Sequence, residues 1–291
     1  MSFDISPRVS LLLGALFIAF SPIFTKMTGI PGLSSAFYRV AIAFLIFLPF
    51  VIYRRYYVIE KSKLGLSLLC GLFFAMDLGC WNQSLMITNT AIATVLGNLA
   101  PVWAGILLYI FTAHKPGVFY WLGVILAVAG LIVMIGWTTV RNLDFDHGSL
   151  LALIASFFYA CYMVVTGKAR EGTPTMTFMF YSMLGYLLSS LVIALIFRAP
   201  LTHFSTHAWV VLLLLAIVPQ LLGWLCVNHA LGSLPSTEVS MILLSQIVIA
   251  SLLATIIFKE SLTGQQILGG LIIITGIGTT YIRKNKKSIS G

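Results

Sequence analysis

The sequence predicts an all-α integral membrane protein, with ten transmembrane helices arranged as two inverted five-helix repeats. Three observations lead there. Of 291 residues, 59% are apolar or aromatic (AVILMFWYC) and only 9% are charged, and the mean hydropathy is +1.03. The apolar residues fall into runs of roughly 20, the length a helix needs to cross a bilayer. The two halves of the chain match each other at a shift of about half its length.

Composition sets the solvent. A soluble domain carries about 45–50% apolar and about 25% charged residues. Here an apolar excess coincides with a charge deficit, so no water-facing surface can be built. An ordinary soluble enzyme, a disordered regulator and a nucleic-acid binder are excluded. The net charge of +9, from 17 Lys and Arg against 8 Asp and Glu, is then a matter of membrane topology rather than a nucleic-acid footprint.

The ten runs are Val9–Thr28, Ser34–Tyr53, Leu64–Leu85, Thr90–Phe111, Gly117–Thr138, Gly148–Gly167, Thr175–Phe197, Ala208–Leu231, Thr237–Phe258 and Gln265–Ile282, spans one to ten. Breakers such as Gly29-Ile30-Pro31-Gly32, Lys115-Pro116-Gly117, Gly172-Thr173-Pro174 and Leu234-Pro235-Ser236 separate them. The connections are too short to hide a soluble domain. A β-barrel is disfavoured, because the runs are continuously apolar and about twice a barrel strand's length. Span one is expected to be retained: Arg8 is its only preceding positive charge and no small-x-small cleavage site follows.

Orientation follows from Lys and Arg in the loops. With a cytoplasmic N-terminus, the inner side holds Arg8, Arg54, Arg55, Lys61, Lys63, Lys115, Lys168, Arg170, Arg283, Lys284, Lys286 and Lys287. The outer side holds only Lys26, Arg141, Arg198 and Lys259. Both termini are therefore expected in the cytoplasm. The tail Arg283–Lys287 reads as a stop-transfer anchor or as a contact for anionic lipid. The four cysteines, Cys70, Cys80, Cys161 and Cys226, all fall inside spans without metal-ligand spacing, and are expected as packing residues.

The repeat can be traced residue by residue. Cys80-Trp81-Asn82-Gln83-Ser84-Leu85 faces Cys226-Val227-Asn228-His229-Ala230-Leu231. Thr90, Phe111, Gly117 and Gly123 face Thr237, Phe258, Gly264 and Gly270, and Pro31 with Phe37-Tyr38 faces Pro174 with Phe180-Tyr181. The halves are placed at residues 1–142 and 143–291. Five spans per half is an odd number, so the second half enters the bilayer upside down. Inverted repeats mark secondary transporters, whose site lies near the midplane between the halves.

The ten spans as five plus five, Phe37-Tyr38-Arg39 in span two, the Pro101-centred fourth span and the segment Phe258-Lys259-Glu260-Ser261-Leu262 together resemble the drug/metabolite transporter superfamily, in particular its EamA branch. The counterpart segment Phe111-Thr112-Ala113-His114-Lys115 lacks the acidic residue usual there. The resemblance covers nearly the whole chain. It implies a central cavity bounded by spans one, three, four, six, eight and nine. It also implies export of amino acids and other metabolites across a bacterial inner membrane.

Polar residues inside the bilayer point to the site. An ionisable side chain at helix centre costs roughly 2.5–3.5 kcal/mol on insertion scales and is by default a functional candidate. Arg39 lies about 7.5 Å and Asp77 about 12 Å from the outer ends of their spans, at 1.5 Å per residue. These depths allow an ion pair, read either as a gate or docking pair for a zwitterion or as a structural pair. A protonated Asp77 would instead support proton coupling. Asn98 in span four and Ser245-Gln246 in span nine are near-equivalent under the repeat. Gln220 with Trp224, and Asp77 with Trp81, share helix faces by i,i+4 spacing. Tyr159 and Tyr162 fall in mid-span six, with Tyr38 and Tyr181 in spans two and seven. The expected substrate-binding set is Tyr38, Arg39, Asp77, Trp81, Asn98, Tyr159, Gln220, Trp224 and Gln246. Such aromatic walls with amide partners suit a small organic molecule; the same amides also serve as interhelical hydrogen bonds. Trp103 is a further cavity candidate, and Trp121, Trp137 and Trp209 are expected as interfacial anchors. Pro22, Pro101 and Pro219 are expected to kink their helices. Gly269-Gly270, Gly276 and Gly278 are expected to let span ten pack closely on a neighbour.

The predicted function is a secondary active or facilitative transporter, an exporter of small metabolites such as amino acids working by alternating access. No cofactor is expected, and no nucleic acid; the partners are the substrate and membrane lipid, with the protein a monomer or weak dimer. A membrane channel or an integral-membrane enzyme is the alternative. No HExxH, GxSxG or GxxxxGK[ST] occurs, which argues against an enzyme and against an ATP-driven pump within this chain. His203 and His207 have i,i+4 spacing but no third ligand nearby. A channel would need a ring of charged or carbonyl groups, and the sequence offers none.

Overall fold

The computed structural model describes residues 5–88, 90–112, 115–136, 145–258 and 262–282. Trp137, His114, Arg141, the Lys259-Glu260-Ser261 junction and the Arg283–Lys287 tail lie outside the described residues. Among the described residues every regular element is a helix. Nine helices are long and apolar enough to cross a membrane, and a shorter apolar helix, Gly264–Thr279, follows as span ten.

Spans one, six, eight and ten begin on side-chain caps that the sequence supplies. Ser6 Oγ accepts from the Val9 amide at the start of span one, Pro7–Thr28, which closes on Gly29 in the left-handed region at φ 64°. Only a residue without Cβ adopts that conformation at no steric cost. Span two is Gly32–Arg54 and span three Lys61–Ile87. Span five is Val118–Ile135, and span six, His147–Arg170, starts from an Asp146 cap. Span seven is Thr175–Ile196. The capping box of Thr263 and Gln266 starts span ten.

Three spans are interrupted. Span four is two helices, Thr90–Gly97 and Ala100–Phe111, broken just before Pro101. Proline lacks an N–H and disfavours helix in the residue before it. The side chain of Asn98 donates Nδ2 to the Thr94 carbonyl at 2.8 Å, satisfying the backbone at the break. Span nine divides at Leu244 into Ser236–Leu243 and Ser245–Phe258. Span eight runs Thr206–Leu215, then a π-helical stretch Ala216–Gly223, then Trp224–Leu231. The expected kink at Pro219 is thus taken up as a wider turn, whereas Pro22 sits inside an uninterrupted helix.

Packing joins the two halves. Span three lies along spans six and seven, and span one along spans eight and nine. Span two packs on spans seven and eight, span four on span six, and span five pairs with span ten. Glycines allow the closest approaches. A Cβ on Gly71 would sit 2.2 Å from the Ser182 carbonyl oxygen of span seven, and one on Gly130 2.7 Å from the Gly269 carbonyl oxygen. Gly276 meets Gly123 in the same way, Gly270 faces Val248 and Gly278 faces open space. The glycines of span ten therefore serve mainly its pairing with span five. Among the described residues all four cysteines are free.

The described chain starts and ends at one face of the bundle. Arg8 Nε donates to Glu238 Oε1 at 2.7 Å, and the Tyr281 hydroxyl donates to the same oxygen at 3.1 Å. We call this the terminal face and its opposite the distal face.

Candidate functional site

A cavity of about 380 Å³ lies between spans one, three, four, six, eight and nine, with Arg39 reaching in from span two. It is lined by the late part of span one (Ile18 to Lys26), the late part of span three (Phe74 to Trp81), the early part of span four and the late part of span nine. Those stretches share the distal half of the bundle, so the cavity runs from the middle toward the distal face. Its walls are largely apolar with a few convergent polar groups, as in small-molecule sites.

Seven of the nine expected residues line this cavity: Arg39, Asp77, Trp81, Asn98, Tyr159, Trp224 and Gln246. Gln220 stands one layer behind. It is 2% exposed, and its Oε1 accepts from Arg39 Nε at 3.0 Å. Tyr38 is elsewhere: its hydroxyl donates to the Leu201 carbonyl at 2.5 Å and its ring packs edge-on against Trp209 at the distal end. One helical residue of separation from Arg39 turns the two side chains about 100° apart. Trp103 is also absent from the walls; its indole donates to Ser156 Oγ at 3.0 Å. Tyr181 donates to the Tyr57 carbonyl near the terminal face. Sequence reasoning missed Ser21, Phe74, Thr94 and Ser251 as lining residues. Only inward orientation distinguishes them, and a hydroxyl that can bond its own helix gives no sequence signal.

Arg39 and Asp77 do not form the expected ion pair; no N–O approach between them falls within 4.0 Å. The guanidinium is taken by neutral acceptors instead, Gln220 Oε1 and, from Nη1, Ser21 Oγ at 3.0 Å. Depth alone placed the two charges at similar heights, but helix rotation sets where they point. Asp77 is 8% exposed, borders the cavity and has no hydrogen-bond partner among the described side chains. Gln246 Oε1 is also buried without a partner. Buried acceptors are ordinarily paired, by protein or by water or ligand. Lys26 stands at the mouth.

The floor of the cavity is aromatic. The Trp224 ring lies 4.4 Å from Phe74, 5.3 Å from Tyr162 and 6.0 Å from Tyr159, centroid to centroid. Phe74 stacks on Tyr162 at 4.9 Å and meets Tyr186 at 5.1 Å. Beneath these rings is a second cavity of about 10 Å³, bordered by Tyr162, Ser182, Gln220 and Asn228 among others. Tyr162 donates to Asn228 Oδ1 at 2.6 Å, and Arg170 Nε to the Asn228 carbonyl at 3.1 Å. Arg170 also bonds Thr173 and Thr175, tying spans six, seven and eight at the terminal face. Glu238, in the first turn of span nine, is engaged with Arg8 and Tyr281 rather than with the cavity. Among the described residues no cluster of His, Cys, Asp and Glu could hold a metal.

Known proteins resemble this chain along its length. An uncharacterized transporter of Archaeoglobus fulgidus is 25% identical over 93% of this chain and 94% of its own. An S-adenosylmethionine uptake transporter of Rickettsia prowazekii is 23% identical over 88% of this chain and 84% of its own. A probable amino-acid metabolite efflux pump of Salmonella typhimurium is 29% identical over 53% of this chain and 55% of its own. A crystal structure of a protein overlays on 94% of this chain and 97% of its own at TM-score 0.78, with 16% identity, a likeness of fold alone. The model of the EamA-like transporter family matches twice, over residues 8–136 and 147–282. Between them the two matches account for most of the chain, which is therefore an integral membrane transporter rather than an enzyme and belongs to the EamA-like transporter family.

Proposed function

We propose that this protein is a secondary active or facilitative transporter that moves amino-acid-type metabolites outward by alternating access. The observation that carries the reading is the distal cavity itself. It joins aromatic walls, a buried guanidinium and a buried carboxylate that are not paired with each other, in the membrane interior. A molecule with a carboxylate, an ammonium and an apolar body complements all three features. The names of the Rickettsia and Salmonella relatives, S-adenosylmethionine uptake and amino-acid metabolite efflux, fall in that chemical range.

The proposed machinery is two inverted halves, residues 1–142 and 143–291. Supporting it, each packing of a first-half span on a second-half span has its counterpart under exchange of halves. Span three on six mirrors span eight on one; four on six mirrors nine on one; three on seven mirrors eight on two. Like halves can exchange conformations, giving two states of similar energy, one open to each side. With both termini in the cytoplasm of a bacterial inner membrane, the present cavity opens outward, and the aromatic floor with the terminal-face bonds forms the closed inner gate. The proposed contact residues are Arg39, Asp77, Trp81, Asn98, Tyr159, Trp224 and Gln246.

The test is flux. Purified protein in liposomes is expected to give saturable, nucleotide-independent movement of labelled amino acids. Linear, non-saturating flux would indicate a channel instead. An uptake direction, as in the Rickettsia relative, is the second reading; efflux from loaded, oriented vesicles against uptake into empty ones separates the two.

A further inference from the structure

Building on the amino-acid reading above, we infer that Arg39 docks the substrate's carboxylate, and that Gln220 and Ser21 are positioning residues that orient its guanidinium without neutralising it. A guanidinium carries five N–H donors in a planar fork. Two of Arg39's are engaged, Nε by Gln220 Oε1 and Nη1 by Ser21 Oγ, both at 3.0 Å. Nη2 and the second Nη1 hydrogen have no acceptor among the described residues. The residue is 3% exposed and lines the cavity. A charged fork edge that lines a cavity inside a membrane protein without a protein acceptor marks a place for a ligand or water.

The chemistry of the two partners narrows the ligand. Both are neutral acceptors. A carboxylate at position 220 would form a charge-assisted, bidentate pair and neutralise Arg39. An amide holds the same geometry and leaves the positive charge for something else. Asp77 makes no direct ion pair with Arg39 within 4.0 Å, so it does not occupy the open edge of the guanidinium. The free edge, Nη1 and Nη2, matches the two oxygens of one carboxylate. A phosphate dianion would meet a single guanidinium and, in the same cavity, the Asp77 carboxylate, so it is disfavoured.

The local fold serves this placement. Gln220 follows Pro219 inside the π-helical stretch Ala216–Gly223 of span eight. Such turns are rare and occur frequently at functional sites. Ser21 precedes Pro22 on span one. The guanidinium of span two is thus clamped by one span of its own half and one of the other, so its aim depends on how the halves sit together.

The experiment uses the full chain in liposomes with a panel of labelled L-amino acids, each competed by its own unlabelled form and by its α-amide. In the unmodified protein the free acid is expected to compete at least about ten-fold better than the amide, the scale of a charge-assisted contact. Gln220→Glu is expected to reduce that discrimination below about three-fold. Ser21→Ala, a milder change, is expected to reduce it about two- to three-fold with an unchanged thermal midpoint. If acid and amide compete equally in the unmodified protein, carboxylate docking is wrong. If docking holds but discrimination survives in both variants, the positioning role is wrong; should Gln220→Glu fail to fold, Ser21→Ala decides alone. The absence of saturable flux for every amino acid would instead defeat the substrate reading, and this inference with it.

Discussion

The two ends of the bundle use arginine and carboxylate in opposite ways. At the terminal face Arg8 and Glu238 close to 2.7 Å, and Tyr281 joins them by a hydrogen bond and by lying 5.5 Å beneath the Arg8 guanidinium. In the distal half Arg39 and Asp77 share a cavity and stay apart, Arg39 held by neutral groups. Where charges meet, three spans are fastened together. Where they are kept from meeting, a vestibule remains with polar groups unmatched. A carrier needs both: a closed side with its partners satisfied, and an open side whose partners are completed by cargo.

The contrast can be broken most severely at its boundary. Trp224 separates the large cavity from the small one and contacts three other rings. Trp224→Ala is expected to lower stability by about 3–5 kcal/mol, the usual cost of truncating a buried tryptophan. It should also make liposomes leak small solutes without saturation. Thermal unfolding and dye-release assays check both parts. Tight vesicles from a folded variant would mean that the barrier lies elsewhere.

Next in size is the unpaired carboxylate. Asp77→Asn keeps the shape and removes the charge. We expect KM for transported amino acids to rise about ten-fold, equivalent to roughly 1.4 kcal/mol, with little change in unfolding temperature. Equal transport in variant and parent would make Asp77 a packing residue.

A smaller effect is expected at the terminal face. Arg8 is half exposed, and pairs of that kind contribute about 0–1 kcal/mol. Glu238→Gln should barely alter stability yet favour opening of that face. Cys226, whose carbonyl accepts from Ser10 Oγ between spans eight and one, is the reporter. With the other three cysteines replaced by alanine, its labelling by a maleimide is expected to quicken by up to about five-fold, the factor that about 1 kcal/mol corresponds to.

The smallest effect belongs to a cap. Asp146 accepts from the Ser149 amide at 2.7 Å and from the Ser149 hydroxyl at 2.8 Å at the start of span six. These bonds favour the carboxylate and hold its pKa below the usual value. The stabilisation is therefore present above the unfolded-state pKa and is lost as pH falls through the lower folded-state one. Asp146→Ala should lower the unfolding temperature slightly near neutral pH and lose that acid-dependent part. A parallel pH profile for the two proteins would remove the cap from the account.

The number of spans and their boundaries were legible because the bilayer imposes one length and one polarity on every crossing. Membership of the cavity was legible in part. The i,i+4 pairs Asp77 with Trp81, and Trp224 with the deeper Gln220, share helix faces by backbone geometry, whatever the helices pack against. Tyr38 and Trp103 were not separable from wall residues, because their type and depth match those of Trp81 and Tyr159 and only helix rotation differs.

What the sequence determined by itself was the solvent, the crossings and the polar residues carried to mid-depth, all consequences of local hydropathy and spacing. Tertiary structure alone decided that Arg39 leans on Gln220 and Ser21 instead of Asp77, that Pro219 yields a π turn while Pro22 yields none, and that the cavity opens away from the termini. Those outcomes depend on the rotation and tilt of helices against their neighbours. Such geometry is set by close packing across residues far apart in the chain, such as Gly71 against span seven, and no local pattern encodes it.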